Sequence, residues 1–170
     1  MSIVHPFLWY TDNALEAAEF YVSVFPRSRI VHVLHAASDM PGVTKGAPFV
    51  VSFELDGQPV EAISAGPSLQ LNAAFSFVVD CEDQAQIDHY WDALLAGGGQ
   101  EVACGWLTDR FGLSWQVVPR RLIELTLSPD ADPEGAARAT QVMLTQTKIE
   151  IAPLEAAYRG ESPGSPQSAR

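Results

Sequence analysis

The chain has 170 residues, 47% of them hydrophobic, which is enough to bury one domain's core without disulfide or metal support. Its 21 acidic against 10 basic residues leave a formal charge of -11, which repels phosphate backbones and anionic lipid surfaces and argues against nucleic acid and membrane partners. The longest apolar stretches fall far short of the ~20 residues that cross a bilayer. Met1 to Tyr10 lacks the basic and apolar regions of a signal peptide, so a cytoplasmic address is expected, with Cys81 and Cys104 as free thiols.

His5 to Tyr10 is aromatic and β-prone, and Asp12 with Asn13 offers side-chain acceptors for a helix start. From Ala14 to Phe25, Leu15, Ala18, Tyr21, Val22 and Phe25 recur at three- and four-residue steps until Pro26 stops the pattern. Ile30 to Ala36 reads as a strand, Ser38 to Pro48 as a loop, and Phe49 to Leu55 as the next strand. Asp56-Gly57 then signals a hairpin, because both residues tolerate positive φ, and Val60 to Ala65 returns as its partner.

After Gly66-Pro67 the order repeats. Ala74 to Val79 reads as a strand, and Asp83 to Ala96 as a helix with Ile87, Tyr90, Trp91, Leu94 and Leu95 on one side, ended by Gly97-Gly98-Gly99. Strands follow around Glu101 to Ala103, Trp106 to Thr108 and Leu113 to Val118, the last two joined by the turn Asp109-Arg110-Phe111-Gly112. Tyr10-Thr11-Asp12 answers Val78-Val79-Asp80, and Tyr21 answers Tyr90, a period of about 69 residues that suits two copies of a half-domain better than a solenoid. Arg120 to Leu127 is a short amphipathic piece, Asp132-Pro133-Glu134 starts a helix reaching about Thr147, and Leu154 to Tyr158 adds a turn. Gly160 to Arg170 has the composition of a disordered tail.

The expected fold class is α+β: two βαβββ modules forming a curved mixed sheet around a cavity, with helices outside, plus a C-terminal helical extension. The paired modules span 1–127 (about 3–66 and 73–119), the helical extension 128–159 and the tail 160–170.

Three stretches carry a resemblance. They are Pro6-Phe7-Leu8-Trp9-Tyr10 running into Ala17 to Pro26, then Phe53-Glu54-Leu55-Asp56-Gly57-Gln58, and the run from Cys104 to Pro119 containing Leu113-Ser114-Trp115-Gln116. Over roughly residues 3–158 the chain resembles the PhnB-like branch of the vicinal oxygen chelate superfamily, which includes glyoxalases, bleomycin-resistance proteins and dioxygenases. Some members of that branch are described as 3-demethylubiquinone 3-methyltransferases. The residues argue against that activity, since a methyltransferase of the usual kind needs a parallel sheet and a glycine-rich loop directly after a strand, whereas Gly97-Gly98-Gly99 follows a helix.

In metal-using relatives, four side chains hold a divalent ion that polarises substrate oxygens. Carried over by register, the resemblance implies His5 as the first ligand, Glu61 as the second, Ala73 or Ala74 at the third position and Gln116 at the fourth. Alanine cannot ligate and an amide is a weak ligand for a hard cation, so no metal or other cofactor is expected. The alternative is a divalent metal held by His5, Glu61 and Gln116, serving a lyase, isomerase or dioxygenase. His32 and His35 differ by an odd step on a strand and fall on opposite faces unless a bulge intervenes, and His89 lies on the second helix.

The leading expectation is a small-molecule binder or cofactor-independent enzyme. Its ligand-binding residues are His5, Phe7, Trp9, Glu61, Cys104, Ser114 and Gln116, and none is assigned a catalytic role. Trp9 shares strand parity with His5, Trp115 has the parity opposite to Gln116 and packs under the helices, and Asp109 and Arg110 read as turn residues. Relatives commonly form dimers, so a homodimer is expected, with the helix from Pro133 to Thr147 as one possible contact.

Overall fold

The structure is a computed structural model and describes residues 3–161. The described residues form two compact units: residues 3–75 with 111–113, and residues 76–110 with 114–161. Most of the expected tail, from residue 162 onward, lies outside the described residues.

The first unit runs β1 (Phe7–Tyr10), α1 (Ala14–Val24), β2 (Arg29–His35), β3 (Pro48–Leu55) and β4 (Gln58–Ser64). Its sheet has the order β1-β4-β3-β2, with β1 parallel to β4 and the other pairs antiparallel. Alternation sorts the faces. Leu8, Tyr10, Val51, Phe53, Val60 and Ala62 are buried beneath α1, while the intervening side chains face away from it. Asp56 and Gly57 take φ of 50° and 81°, the two positive values a tight two-residue hairpin requires.

The helix starts at Ala14 as the sequence suggests, but the group that caps it differs. Neither Asp12 nor Asn13 caps α1; the buried Ser64 hydroxyl oxygen accepts the Ala14 N–H at 3.0 Å. Ser64 is the register partner of Tyr10, the last residue of β1, so the parallel pairing brings its side chain to the turn where α1 begins. The buried residues of α1 are Ala14, Ala17, Ala18 and Tyr21, with Leu15 and Val22 half-buried. Tyr21 hydrogen-bonds Tyr10 through their hydroxyls at 3.0 Å and packs against Phe53 and Phe111, ring centres 6.4 and 6.0 Å away.

The second unit runs β5 (Ser76–Cys81), α2 (Gln84–Leu95), β6 (Gln100–Glu101), β7 (Trp106–Thr108) and β8 (Ser114–Pro119). Three helices follow: α3 (Arg120–Thr126), α4 (Pro133–Met143) and α5 (Ile151–Tyr158). The sheet order β5-β8-β7-β6, with β5 parallel to β8, repeats that of the first unit. β5 starts two residues later than Ala74, because the Asn72 side-chain oxygen accepts the Ala74 N–H at 2.8 Å and its carbonyl the Phe75 N–H, winding 72–75 into a turn. Asp83 caps α2 by accepting the Gln86 N–H at 2.9 Å, and Asp132 caps α4 by accepting from Gly135 at 2.7 Å.

The internal repeat aligns differently from the expectation. Tyr21 and Trp91 are each the eighth residue of their helix and both are buried, whereas Tyr90 is only half-buried. α4 ends at Met143 rather than Thr147, because the Thr145 and Gln146 N–H groups donate only three residues back, to the Val142 and Met143 carbonyls, and the chain tightens into turns. The C-terminal helices carry a core of Val118, Leu122, Leu125, Ala139, Ile149 and Leu154, which makes them continuous with β8.

Candidate functional site

In the first unit the face turned away from α1 carries the predicted residues. Register places Phe7, Glu61, Ser52 and His32 in one row across the four strands, and Trp9, Ile63, Val50 and Leu34 in the next. His5 lies two residues before Phe7, so the alternation carries it to the same face, and its Nε2 stands 3.2 Å from Glu61 Oε2. The Ser52 hydroxyl donates to Glu61 Oε1 at 3.0 Å, so both carboxylate oxygens are held. Each retains further acceptor capacity, because a carboxylate offers about four lone-pair positions.

Beside this polar cluster Phe7 is 52% exposed, a large apolar ring left open to solvent. Trp9 is half-buried and fixed by its indole N–H, which donates to the Gly66 carbonyl at 2.9 Å. Further along the same face Arg29 donates twice to Glu54, at 2.8 and 2.9 Å, and that pairing lowers the Glu54 pKa and raises that of Arg29. The Arg29 guanidinium is thereby committed to a carboxylate.

The second unit repeats the arrangement with neutral groups. Phe7 is the register partner of Glu61 as Val78 is of Gln116, and Ser76 precedes Val78 by two residues as His5 precedes Phe7. Gln116 Nε2 donates to Ser76 Oγ at 2.9 Å, the counterpart of the His5–Glu61 contact. The position that matched Ala73 or Ala74 is therefore held by Ser76. Gln116 has Trp106 as its other register partner, so Val78, Gln116 and Trp106 share a row; Ser114 lies in the adjacent row with Ser76 and is buried.

Trp115 has the opposite parity and is buried, as expected, but Asp109 is more than a turn residue. It is buried, and its Oδ2 accepts the Trp115 indole N–H at 2.8 Å. Cys104 sits in the β6–β7 turn at φ 60°, with its N–H donating to the Gln146 carbonyl at 2.8 Å. Its side chain is half-buried, whereas Cys81 is fully buried and burial pushes that thiol up to about 12. Both cysteines are free. His32 and His35 are both exposed on β2, with register shifts before His32 and between Leu34 and His35.

Sequence reasoning missed Ser52, Ser76, Trp106 and the Asp109–Trp115 bond. Ser52 was accessible in principle: counting outward from Asp56-Gly57, the fourth pair is Ser52 with Glu61.

A divalent metal fits these donors poorly. In the first unit His5 and Glu61 supply only one nitrogen and one carboxylate, in the second unit Ser76 and Gln116 supply only a hydroxyl and an amide, and among the described residues no three His, Cys, Asp or Glu side chains gather as a metal group.

Two modules of β-α-β-β-β order, each with its first strand parallel to its last, define a protein of the vicinal oxygen chelate superfamily. A family model described as 3-demethylubiquinone-9 3-methyltransferase matches residues 2–118, more than half the chain, and the chain belongs to that family. Among solved structures it is similar to a Bacillus cereus PhnB protein, itself described as a 3-demethylubiquinone-9 3-methyltransferase. The identity is 28%, over 69% of this chain and 99% of the other, with a TM-score of 0.62. It is also similar in fold to protein PA1353 from Pseudomonas aeruginosa, at 18% identity over 70% of this chain and 98% of the other, TM-score 0.58. No curated protein matches the chain. Among the described residues no helix is long and apolar enough to cross a membrane.

Proposed function

We propose that the chain is a small-molecule-binding protein, or an enzyme that needs no cofactor. Its anchors in the first unit are His5, Glu61 and Ser52 beside Phe7 and Trp9, and the second unit carries its own set, Gln116, Ser76 and Trp106. The observation that carries this reading is the His5–Glu61–Ser52 cluster, polar groups held at hydrogen-bond distance next to an exposed aromatic ring on an open sheet face. Ligand sites combine apolar surface with a few fixed polar groups in this way, and the ligand expected is a small molecule with an apolar body and hydrogen-bonding substituents.

Methyl transfer receives no support from the residues. Each sheet has one parallel pair among antiparallel ones, and the triple glycine follows α2 instead of opening a helix after a strand. The test is a small-molecule screen by protein NMR on the full chain. Hits should shift Trp9 and the neighbours of Glu61, and Glu61→Ala should abolish binding while the protein stays folded. Hits that persist in Glu61→Ala, or shift neither region, refute the proposal.

A metal-dependent lyase, isomerase or dioxygenase is the second reading, favoured by the closeness of the His5 ring to the Glu61 carboxylate. Metal analysis of purified protein decides it: a stoichiometric ion, lost on substitution of His5 or Glu61, would replace the first reading. A homodimer belongs to the proposal as well, supported by β2, a seven-residue strand at the edge of its sheet with exposed side chains on both faces.

A further inference from the structure

The family match stops at residue 118, one residue short of the end of β8, and the chain beyond β8 is clamped to the second unit at several points. Between α4 and α5, the Gln146 and Thr147 carbonyls accept the N–H groups of Cys104 and Gly105, each at 2.8 Å. Lys148 Nζ donates to Asp88 Oδ1 at 2.6 Å. The Gln84 side chain donates to the Ile149 carbonyl at 3.1 Å and accepts the Ile151 N–H at 3.0 Å. On its other side the β6–β7 turn is tied to β8, the Gly105 carbonyl accepting the Val117 N–H at 2.8 Å.

The turn has no slack. A Cβ at Gly105 would lie 2.9 Å from both Ile149 Cγ1 and the Val117 carbonyl oxygen. Cys104 and Gly105 have φ of 60° and 80°, and a side-chain-bearing residue stays in the left-handed region only where its surroundings hold it there. The next residue is Trp106, register partner of Gln116.

We infer that residues 146–151 are a positioning strap: they hold the Cys104–Gly105 turn in its left-handed form and thereby set Trp106 on the open face beside Gln116. The geometry of the second module's open face then depends on a segment that the family match does not include. Lys148 and Gln84 are the positioning residues, acting through the turn. The importance of Trp106 and Gln116 to binding rests on the function proposed above, but the strap itself is tested without ligand, so either can fail alone.

The experiment is NMR on the full chain, with the Trp106 indole N–H assigned by its loss in Trp106→Phe. Lys148→Ala should speed amide exchange at Cys104 and Gly105 by up to about fivefold through easier local opening. It should also shift or broaden the Trp106 indole signal while leaving that of Trp9 in place, and Lys148→Arg should restore both. Unchanged exchange, a Trp106 signal that stays put while exchange rises, or equal shifts of all the indoles would each overturn the inference. If Lys148→Ala does not fold, Asp88→Asn weakens the same pair and is judged by the same signals.

Discussion

Replacing Trp115 by Phe probes the link between the second unit's core and the turn preceding β8. Trp115 is 1% exposed, its ring centre is 5.4 Å from that of Phe77, and its indole N–H reaches the 4%-exposed Asp109. Phenylalanine keeps an aromatic ring against Phe77 but removes the donor and leaves a small void. Losing a hydrogen bond to a charged group costs about 1.5–3 kcal/mol, and the void adds roughly 1 kcal/mol. The expected destabilisation is about 3 kcal/mol, which in a domain of this size lowers Tm by about 6–12 °C. Urea unfolding followed by circular dichroism measures it, and a double-mutant cycle with Asp109→Ala isolates the bond. A loss below about 1 kcal/mol, or a coupling energy under about 0.5 kcal/mol, refutes the argument.

Other expectations rest on single contacts. Ser64→Ala removes the buried acceptor at the start of α1 and should cost about 1–2 kcal/mol by the same unfolding assay. Thiol titration of the native protein should modify Cys104 while Cys81, buried and pushed up to about 12, reacts only in denaturant. The hydrogen bond from Lys148 lowers the pKa of Asp88, so the pair stabilises the fold above the ordinary aspartate range and loses that contribution as pH falls through the lowered value. The stability gap between wild type and Asp88→Asn should therefore be level near neutrality, about 1 kcal/mol or less for so exposed a pair, and close in acid. Sedimentation should show a dimer. Truncation after Pro119 would confound that measurement, because it strips Val118 of its core partners and the Cys104–Gly105 turn of its strap, so substitutions at exposed positions of α4 are the better probe of the interface.

The helices and most strands were legible because their signals are local: apolar periodicity, Pro26 and Gly97 as stops, Asp132-Pro133-Glu134 as a helix start. Ala14 and Ala17 were not, since counting hydrophobic side chains undervalues alanine where a helix packs close to its sheet. The capping acceptor of α1 could not be read locally either, since it lies 50 residues away on β4. Pairing His5 with Glu61 came from the resemblance, and the structure brings the two side chains together. Ser76 escaped because the Asn72 turn delays β5 by two residues, which alanine-rich sequence does not announce. The strap has no periodicity at all; it is defined by backbone carbonyls, which every sequence shares.

The likeness between His5–Glu61 and Ser76–Gln116 is one of backbone position, and the chemistry divides between them. A hydroxyl bonded to an amide neither carries charge nor exchanges a proton readily near neutral pH, so that pair can only orient a ligand by hydrogen bonds. A histidine bonded to a carboxylate brings ionisable groups to the same place. Any charge recognition or proton movement drawn from these paired positions therefore falls to the first module. Glu61→Gln should alter charge selectivity among ligands, whereas Gln116→Leu should weaken binding without changing which charge is preferred. Equal effects from the two substitutions would contradict this division, because the same hydrogen-bonding geometry would then be acting regardless of charge.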